Sequence, residues 1–206
     1  MTEKEANKLV YERQCQEKGY NLIAGTDEVG RGPLAGPVVC CAVIMPLDED
    51  SIIEGIDDSK KVSEKKREKL AEEILARAIS IKICRVEPKE IDELNILEAT
   101  KKCMADCVKG LDVKPDVLLC DALNIDAGVK CFPIIKGDAL SYTIGCASIV
   151  AKVYRDNLMK EYALKYPAYG FEKHKGYGTK AHIQAIKENG PCELHRRTFI
   201  KNFWAD

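Results

Sequence analysis

The sequence predicts an α/β fold, and three observations carry that reading. Five short apolar segments, 21–28, 38–45, 80–86, 116–121 and 131–136, have strand length and are rich in Val, Ile, Leu and Cys. Between and after them lie longer stretches with helical character, over 64–78, 88–110 and 141–166. With 206 residues, 46% hydrophobic and 32% charged, the chain suits one domain with a substantial core and a short C-terminal appendage. The expected division is a helical segment at 1–20, a catalytic domain at 21–168 and a small basic helical extension at 169–206.

Taken in order, residues 3–18 are charged, with Leu9, Val10 and Cys15 as the apolar foothold. They read as a short amphipathic helix on the domain edge with no visible chemistry. The first strand follows, and the second, 38–45, is apolar enough to be buried on both faces. A loop rich in Gly and Pro joins the two as a hairpin. Ser63 is placed to cap the helix at 64–78, which buries Leu70, Ile74 and Ala78 and leaves Lys65, Lys66, Arg67 and Lys69 as a solvated basic face. After the third strand, 88–110 is helical with a kink near Asn95, and Glu90, Asp92, Glu93 and Glu98 are spread over its surface as solvation. In the long helix at 141–166, Asp156 is open between a ligand role, an ion pair with Arg155 and a cap.

Charge and cysteine usage narrow the function classes. A net charge of −1 neither announces a nucleic-acid partner nor excludes one, because acids at a site cancel basic patches in the sum. None of the ten cysteines forms a Cys-x-x-Cys pair, and most sit in apolar runs as small hydrophobes. Cys103 and Cys107, one helical turn apart, read as a buried helix face rather than a shared metal site. The N-terminus has no signal-peptide pattern and no apolar run approaches the ~20 residues of a membrane span, so a reduced, cytoplasmic setting is expected. The tail is locally basic. From Glu172 to Lys201 there are seven Lys or Arg against three acids, with all three histidines and with Tyr177 and Phe199 interspersed. That composition suits backbone contacts plus stacking.

The chemistry centres on 25–37. The run Leu22-Ile23-Ala24 leads to adjacent carboxylates, Asp27 and Glu28, and then to a loop with Gly30, Arg31 and Gly32. Neighbouring strand side chains point to opposite faces, so the two acids converge only if the chain bends or the loop folds back. Asp121 and Asp138 likewise follow apolar strands. If the fourth strand runs parallel beside the first, Asp27 and Asp121 emerge together at their carboxyl ends. Gathered carboxylates need cations, and an all-oxygen set points to Mg²⁺ or Mn²⁺. Two such ions ~3.5–4 Å apart serve in-line phosphodiester displacement. Gly30 and Gly32 let backbone N–H groups approach an anion, and Lys60-Lys61 is a phosphate-binding candidate. No Gly-x-Ser-x-Gly, P-loop or Gly-x-Gly-x-x-Gly occurs.

Several segments resemble ribonuclease HII, the type 2 ribonuclease H family, in that family's order. They are Asp27-Glu28-Val29-Gly30-Arg31-Gly32-Pro33, Asp58-Ser59-Lys60-Lys61, Glu93-Leu94-Asn95-Ile96-Leu97, Asp121, Lys136-Gly137-Asp138, Ala147-Ser148-Ile149-Val150-Ala151-Lys152-Val153 with Arg155-Asp156, His174-Lys175-Gly176-Tyr177 and His195-Arg196-Arg197-Thr198-Phe199. The resemblance implies a ribonuclease H-like fold, with a mixed five-stranded sheet flanked by helices and a small C-terminal helical extension. It implies cleavage of RNA in RNA/DNA hybrids and incision 5′ to single ribonucleotides in duplex DNA, leaving 5′-phosphate and 3′-hydroxyl ends, in DNA replication and repair. It makes Asp27, Glu28, Asp121 and Asp138 the metal-binding catalytic set. Gly30, Arg31, Gly32 and Tyr177 would recognise the 2′-hydroxyl, with Lys60, Lys61, Ser148, His174, Lys175, Arg196 and Arg197 as further substrate contacts. A monomer with no small-molecule cofactor is expected. The readings kept beside this one are a junction-cutting DNA nuclease of the same fold and a catalytically silent nucleic-acid-binding module.

Overall fold

The computed structural model describes residues 7–204. Helix α1 (Val10–Glu17) leads into strands β1 (Ile23–Val29) and β2 (Val38–Ile44), helix α2 (Glu64–Arg77) and strand β3 (Ser80–Val86). Helices α3 (Pro88–Leu94) and α4 (Ile96–Lys109), strands β4 (Val117–Asp121) and β5 (Lys130–Ile134), and helices α5 (Gly137–Leu140) and α6 (Tyr142–Lys165) follow. Short helices α7 (Phe171–His174), α8 (Lys180–Asn189) and α9 (Arg197–Ile200) complete the chain.

The sheet order is β3-β2-β1-β4-β5, antiparallel on the β2 side of β1 and parallel on the β4 side. This is the mixed five-stranded sheet expected, with its hairpin. Strand β2 is buried along its whole length, and its side chains divide by parity. Val39, Cys41 and Val43 join α2 and α6 in one core, while Val38, Cys40, Ala42 and Ile44 join α3 and α4 in the other. Alternation along a strand with helices on both faces produces that division. All ten cysteines are free, and Cys103 and Cys107 are fully buried on the sheet-facing side of α4.

Several local expectations need correction. Of the segment 3–18, residues 7–8 and Val10–Glu17 are helical with a turn at Leu9 between them, residues 3–6 lie outside the described region, and Val10 is exposed. Ser63 occupies the N-cap position of α2 but makes no side-chain capping bond. Asn95 does more than kink its helix: at φ 70° it ends α3, and its side chain accepts from Leu97 and Glu98 N–H to start α4. Arg67 is buried rather than solvated, bonding to the carbonyls of Ser59 and Val62. Asp92 is no surface solvation either. It accepts from the N–H groups of Arg197 and Thr198 and so docks the C-terminal segment on α3.

Helix α6 is the axis of the site. Its N-terminal half lies across β1 so closely that a Cβ on Gly25 would sit 2.3 Å from the Thr143 carbonyl carbon. Its first turn is held by Glu12 of α1, a residue in the segment expected to carry no chemistry. The Glu12 carboxylate is fully buried and accepts from Ser141 Oγ (2.6 Å), Thr143 N (3.0 Å) and Thr143 Oγ1 (2.9 Å). A carboxylate at a helix N-terminus meets both unsatisfied N–H groups and the positive end of the dipole.

Candidate active site

The parallel β1–β4 register pairs Thr26 with Cys120, which puts Asp27 beside Asp121 at the carboxyl ends of the two strands. Pairing of β1 with β2 continues through Glu28 to Val29, so the strand does not bend where Asp27 and Glu28 meet. The β1–β4 ladder stops at Thr26, and this open edge lets adjacent side chains from opposite faces reach one point. Ligand oxygens of Asp27, Glu28 and Asp121 lie within 4.8 Å of one another.

Each carboxylate is held by its neighbours. Asp27 accepts from Glu28 N at 2.7 Å, and Ser148 of α6, on the same cleft wall, donates its hydroxyl to Ser59 Oγ at 3.1 Å. Asp121 accepts from Gly137 N at 2.6 Å, and a Cβ on Gly137 would fall 2.6 Å from Ile144 Cδ1. Asp138 lies on α5 rather than at a strand end, after Lys136 in the left-handed region (φ 60°). It stands on the cleft wall outside the tight trio, accepting from Ala139 N at 2.9 Å.

Burial pushes the Asp27 carboxyl well above the usual range, reinforced by the charge of Glu28 and then Asp121. Glu28 is raised by burial against the opposing pull of Arg31, whose Nη1 is 3.5 Å from Glu28 Oε1. Asp121 is raised by burial and by Asp138, with the Gly137 amide pulling the other way. Two buried carboxylate oxygens have no hydrogen-bond partner among the described residues, Glu12 Oε2 under helix α6 and, within the trio, Glu28 Oε2. A buried, unpaired carboxylate oxygen is costly unless a cation meets it, and the donors are all hard oxygens, so the trio fits a divalent ion such as Mg²⁺ or Mn²⁺.

The trio opens into a cleft of about 460 Å³. Of the residues expected to act, Asp138, Gly30, Arg31, Gly32, Lys60, Ser148 and Tyr177 line it. Lys61 is exposed outside its lining. His174 is engaged within the tail, with Nε2 on the Tyr169 carbonyl (2.8 Å) and Nδ1 accepting from Gly176 N (3.2 Å). Lys175 turns its ammonium onto the Glu172 carbonyl, and Arg197 is exposed on α9, away from the cleft lining. Arg196 is fully buried beneath the β1–β2 loop and does not face the cleft.

Lys152 also lines the cleft, a residue the sequence reading quoted in a motif without giving it a site role. It falls one helical turn after Ser148, a spacing that could have found it. Asp156 is paired with Lys152 Nζ (2.7 Å) and Arg67 Nη2 (3.7 Å), not with Arg155. It orients the cation at the cleft and, through Arg67, the loop that carries Ser59 and Lys60.

Fold and site together define an oxygen-ligated, metal-dependent hydrolase of the ribonuclease H type. The family profile for ribonuclease HII matches residues 24–206. The ribonuclease HII of Ruminiclostridium cellulolyticum is 54% identical over 196 residues, covering 95% of this chain and 76% of that protein. That of Bacillus anthracis is 53% identical over 203 residues, covering 97% and 78%. Among solved structures, the ribonuclease H2 of Pyrococcus horikoshii superposes with a TM-score of 0.75 at 28% identity, over 89% of this chain and 97% of the other. The ribonuclease HII in a PCNA complex from Archaeoglobus fulgidus gives 0.73 at 28% identity, over 85% and 94%.

The chain belongs to the ribonuclease HII family and is a metal-dependent endoribonuclease acting on RNA/DNA hybrids.

Proposed function

We propose that the enzyme hydrolyses the RNA strand of RNA/DNA hybrids and also cuts 5′ to single ribonucleotides in duplex DNA, using two divalent ions, Mn²⁺ or Mg²⁺. The observation that carries this reading is the trio of Asp27, Glu28 and Asp121 beside a wall formed by Gly30, Arg31, Gly32 and Tyr177. Asp27, Glu28, Asp121 and Asp138 would hold the ions, which supply an activated water and charge stabilisation at the leaving oxygen. Products are then a 5′-phosphate and a 3′-hydroxyl. Lys60 and Lys152 supply positive charge to the cleft for the substrate backbone. The Gly30–Gly32 backbone and Tyr177 recognise the 2′-hydroxyl, the group that separates RNA from DNA.

The reading extends to ribonucleotide and RNA-primer removal in replication and repair by a monomer in the cytoplasm, with no small-molecule cofactor. Ten free cysteines suit a reducing compartment, and the cleft is assembled within one chain. Cleavage of all-DNA, single-ribonucleotide and full-hybrid duplexes, with and without Mn²⁺ or Mg²⁺, tests it. Cutting at the ribonucleotide only with metal is expected. Metal-dependent cutting of all-DNA junctions would favour a DNA nuclease instead, and duplex binding without cutting a silent binding module.

A further inference from the structure

Behind the loop joining β1 to β2 lie two fully buried arginines, Arg155 from α6 and Arg196 from the C-terminal segment. Among the described residues their polar partners are backbone carbonyls rather than carboxylates. Arg196 donates from Nε and Nη2 to Gly36 O (3.0 and 2.8 Å), from Nη1 to Arg31 O (2.8 Å) and from Nη2 to Gly30 O (2.6 Å). Arg155 donates from Nε to Pro37 O (3.0 Å), from Nη2 to Ala35 O (3.1 Å) and from Nη1 to Lys175 O (2.9 Å). Burial lowers the two guanidinium pKa values to about 10 and, for Arg196, about 9, so both stay charged at neutral pH.

Two like charges buried with no carboxylate in hydrogen-bond contact, Asp92 and Asp156 acting on them only from further off, are a costly way to close a loop. What they fix is direction. In a trans peptide the C=O of one residue and the N–H of the next point opposite ways, and the described residues contain no cis peptide. Turning the carbonyls of Gly30 and Arg31 onto Arg196 therefore turns the N–H groups of Arg31 and Gly32 away from it. That side is the cleft, which Arg31 and Gly32 line beside the acidic trio. Gly30 cannot give way: its φ is +95°, and a Cβ there would lie 2.3 Å from Arg155 Nε.

We propose that Arg196, supported by Arg155, is a positioning residue for substrate selection. It aims the adjacent N–H groups of Arg31 and Gly32 at the ribose 2′-oxygen of the substrate strand. The proposal rests on the 2′-hydroxyl reading above and adds the device that makes the loop selective.

The test compares wild type with Arg196→Lys, Arg196→Gln and Arg155→Lys. Thermal melting and Mn²⁺ titration report whether the fold and the carboxylate trio are intact, and affinities are measured for a duplex with one ribonucleotide and for its all-DNA twin. Wild type is expected to prefer the ribonucleotide duplex about tenfold or more. Arg196→Lys keeps the charge but not the fork of donors, and should bring that ratio to within about threefold of unity with Mn²⁺ affinity unchanged. If Arg196→Gln fails to fold, the two lysine variants read the same ratio. A ratio that survives in both, or a loss falling equally on both duplexes, overturns the positioning role while the 2′-hydroxyl reading stands. A wild type without preference overturns that reading, and the positioning role with it.

Discussion

Asp27 stands beside Asp121 because the parallel ladder between β1 and β4 pairs Thr26 with Cys120 one residue earlier. A slip of one residue would turn one of the two to the opposite face of the sheet and empty the site. The carboxylate cluster is thus a consequence of strand register.

Asp27→Asn removes one of three crowded carboxylates whose pKa values all lie above the usual range. The metal-free fold holds protons more tightly than the unfolded chain, so its stability falls as pH rises from the ordinary carboxylate range through the raised values. The variant should melt a few degrees higher than wild type without metal at pH 8, a gain on the order of 1–2 kcal/mol. Metal-dependent cleavage should drop at least ~1,000-fold while duplex binding is largely kept. Unchanged cleavage would exclude Asp27 from catalysis.

Tyr177 is 42% exposed, and its ring edge would lie 3.7 Å from a Cβ built on Gly32. Tyr177→Ala removes little core, so the melting temperature should hold while single-ribonucleotide cleavage falls about 10- to 100-fold. A matching drop in melting temperature would mark the side chain as structural.

Gly25→Ala drives a methyl group into the backbone of Thr143, where helix α6 would have to move off the sheet. Because α6 carries Ser148 and Lys152, chemical denaturation should show a loss on the order of 3 kcal/mol or more, with weakened Mn²⁺ binding. Wild-type stability in this variant would mean that the two elements separate freely.

His182 and His195 are buried with their Nε2 atoms 3.1 Å apart. His182 Nδ1 donates to the Tyr177 carbonyl, leaving its Nε2 to accept from His195, whose Nδ1 accepts from Cys192 N. Burial depresses both to about 4 from 6.5. Between pH 6.5 and 4 the unfolded chain binds protons that the fold refuses, so this stability is full above pH 6.5 and is lost as pH falls. Melting followed from pH 7.5 to 4.5 should show a decline on the order of 2–3 kcal/mol for each of the two histidines in wild type and a shallower one in His195→Gln. Parallel slopes would assign the decline to other groups.

Much of the site was legible in the residues because its signals are local. An apolar run ending in Asp27-Glu28, a glycine-rich loop and a second run ending in Asp121 each fit within one strand and its turn. Arg196 was not legible. A basic pair in a basic tail has the composition of a phosphate contact, and nothing near it in sequence shows that the β1–β2 loop, some 160 residues away, turns its carbonyls onto it. Asp92 and Arg67 were hidden for the same reason, since a charged residue on a helix reads as solvated until another element covers it, and nothing in the charged segment around Glu12 marks that residue as buried.

The sequence by itself determined the strands and helices, the acids at the strand ends and the glycines that let backbone approach a ligand, because propensity and periodicity act over a few residues. Tertiary structure alone decided that Asp138 sits on a short helix outside the trio, that Asp156 pairs with Lys152 and Arg67, and that two arginines lie beneath the loop. Those outcomes depend on which distant segments exclude water from a charge, and burial of that kind exists only once the chain has packed.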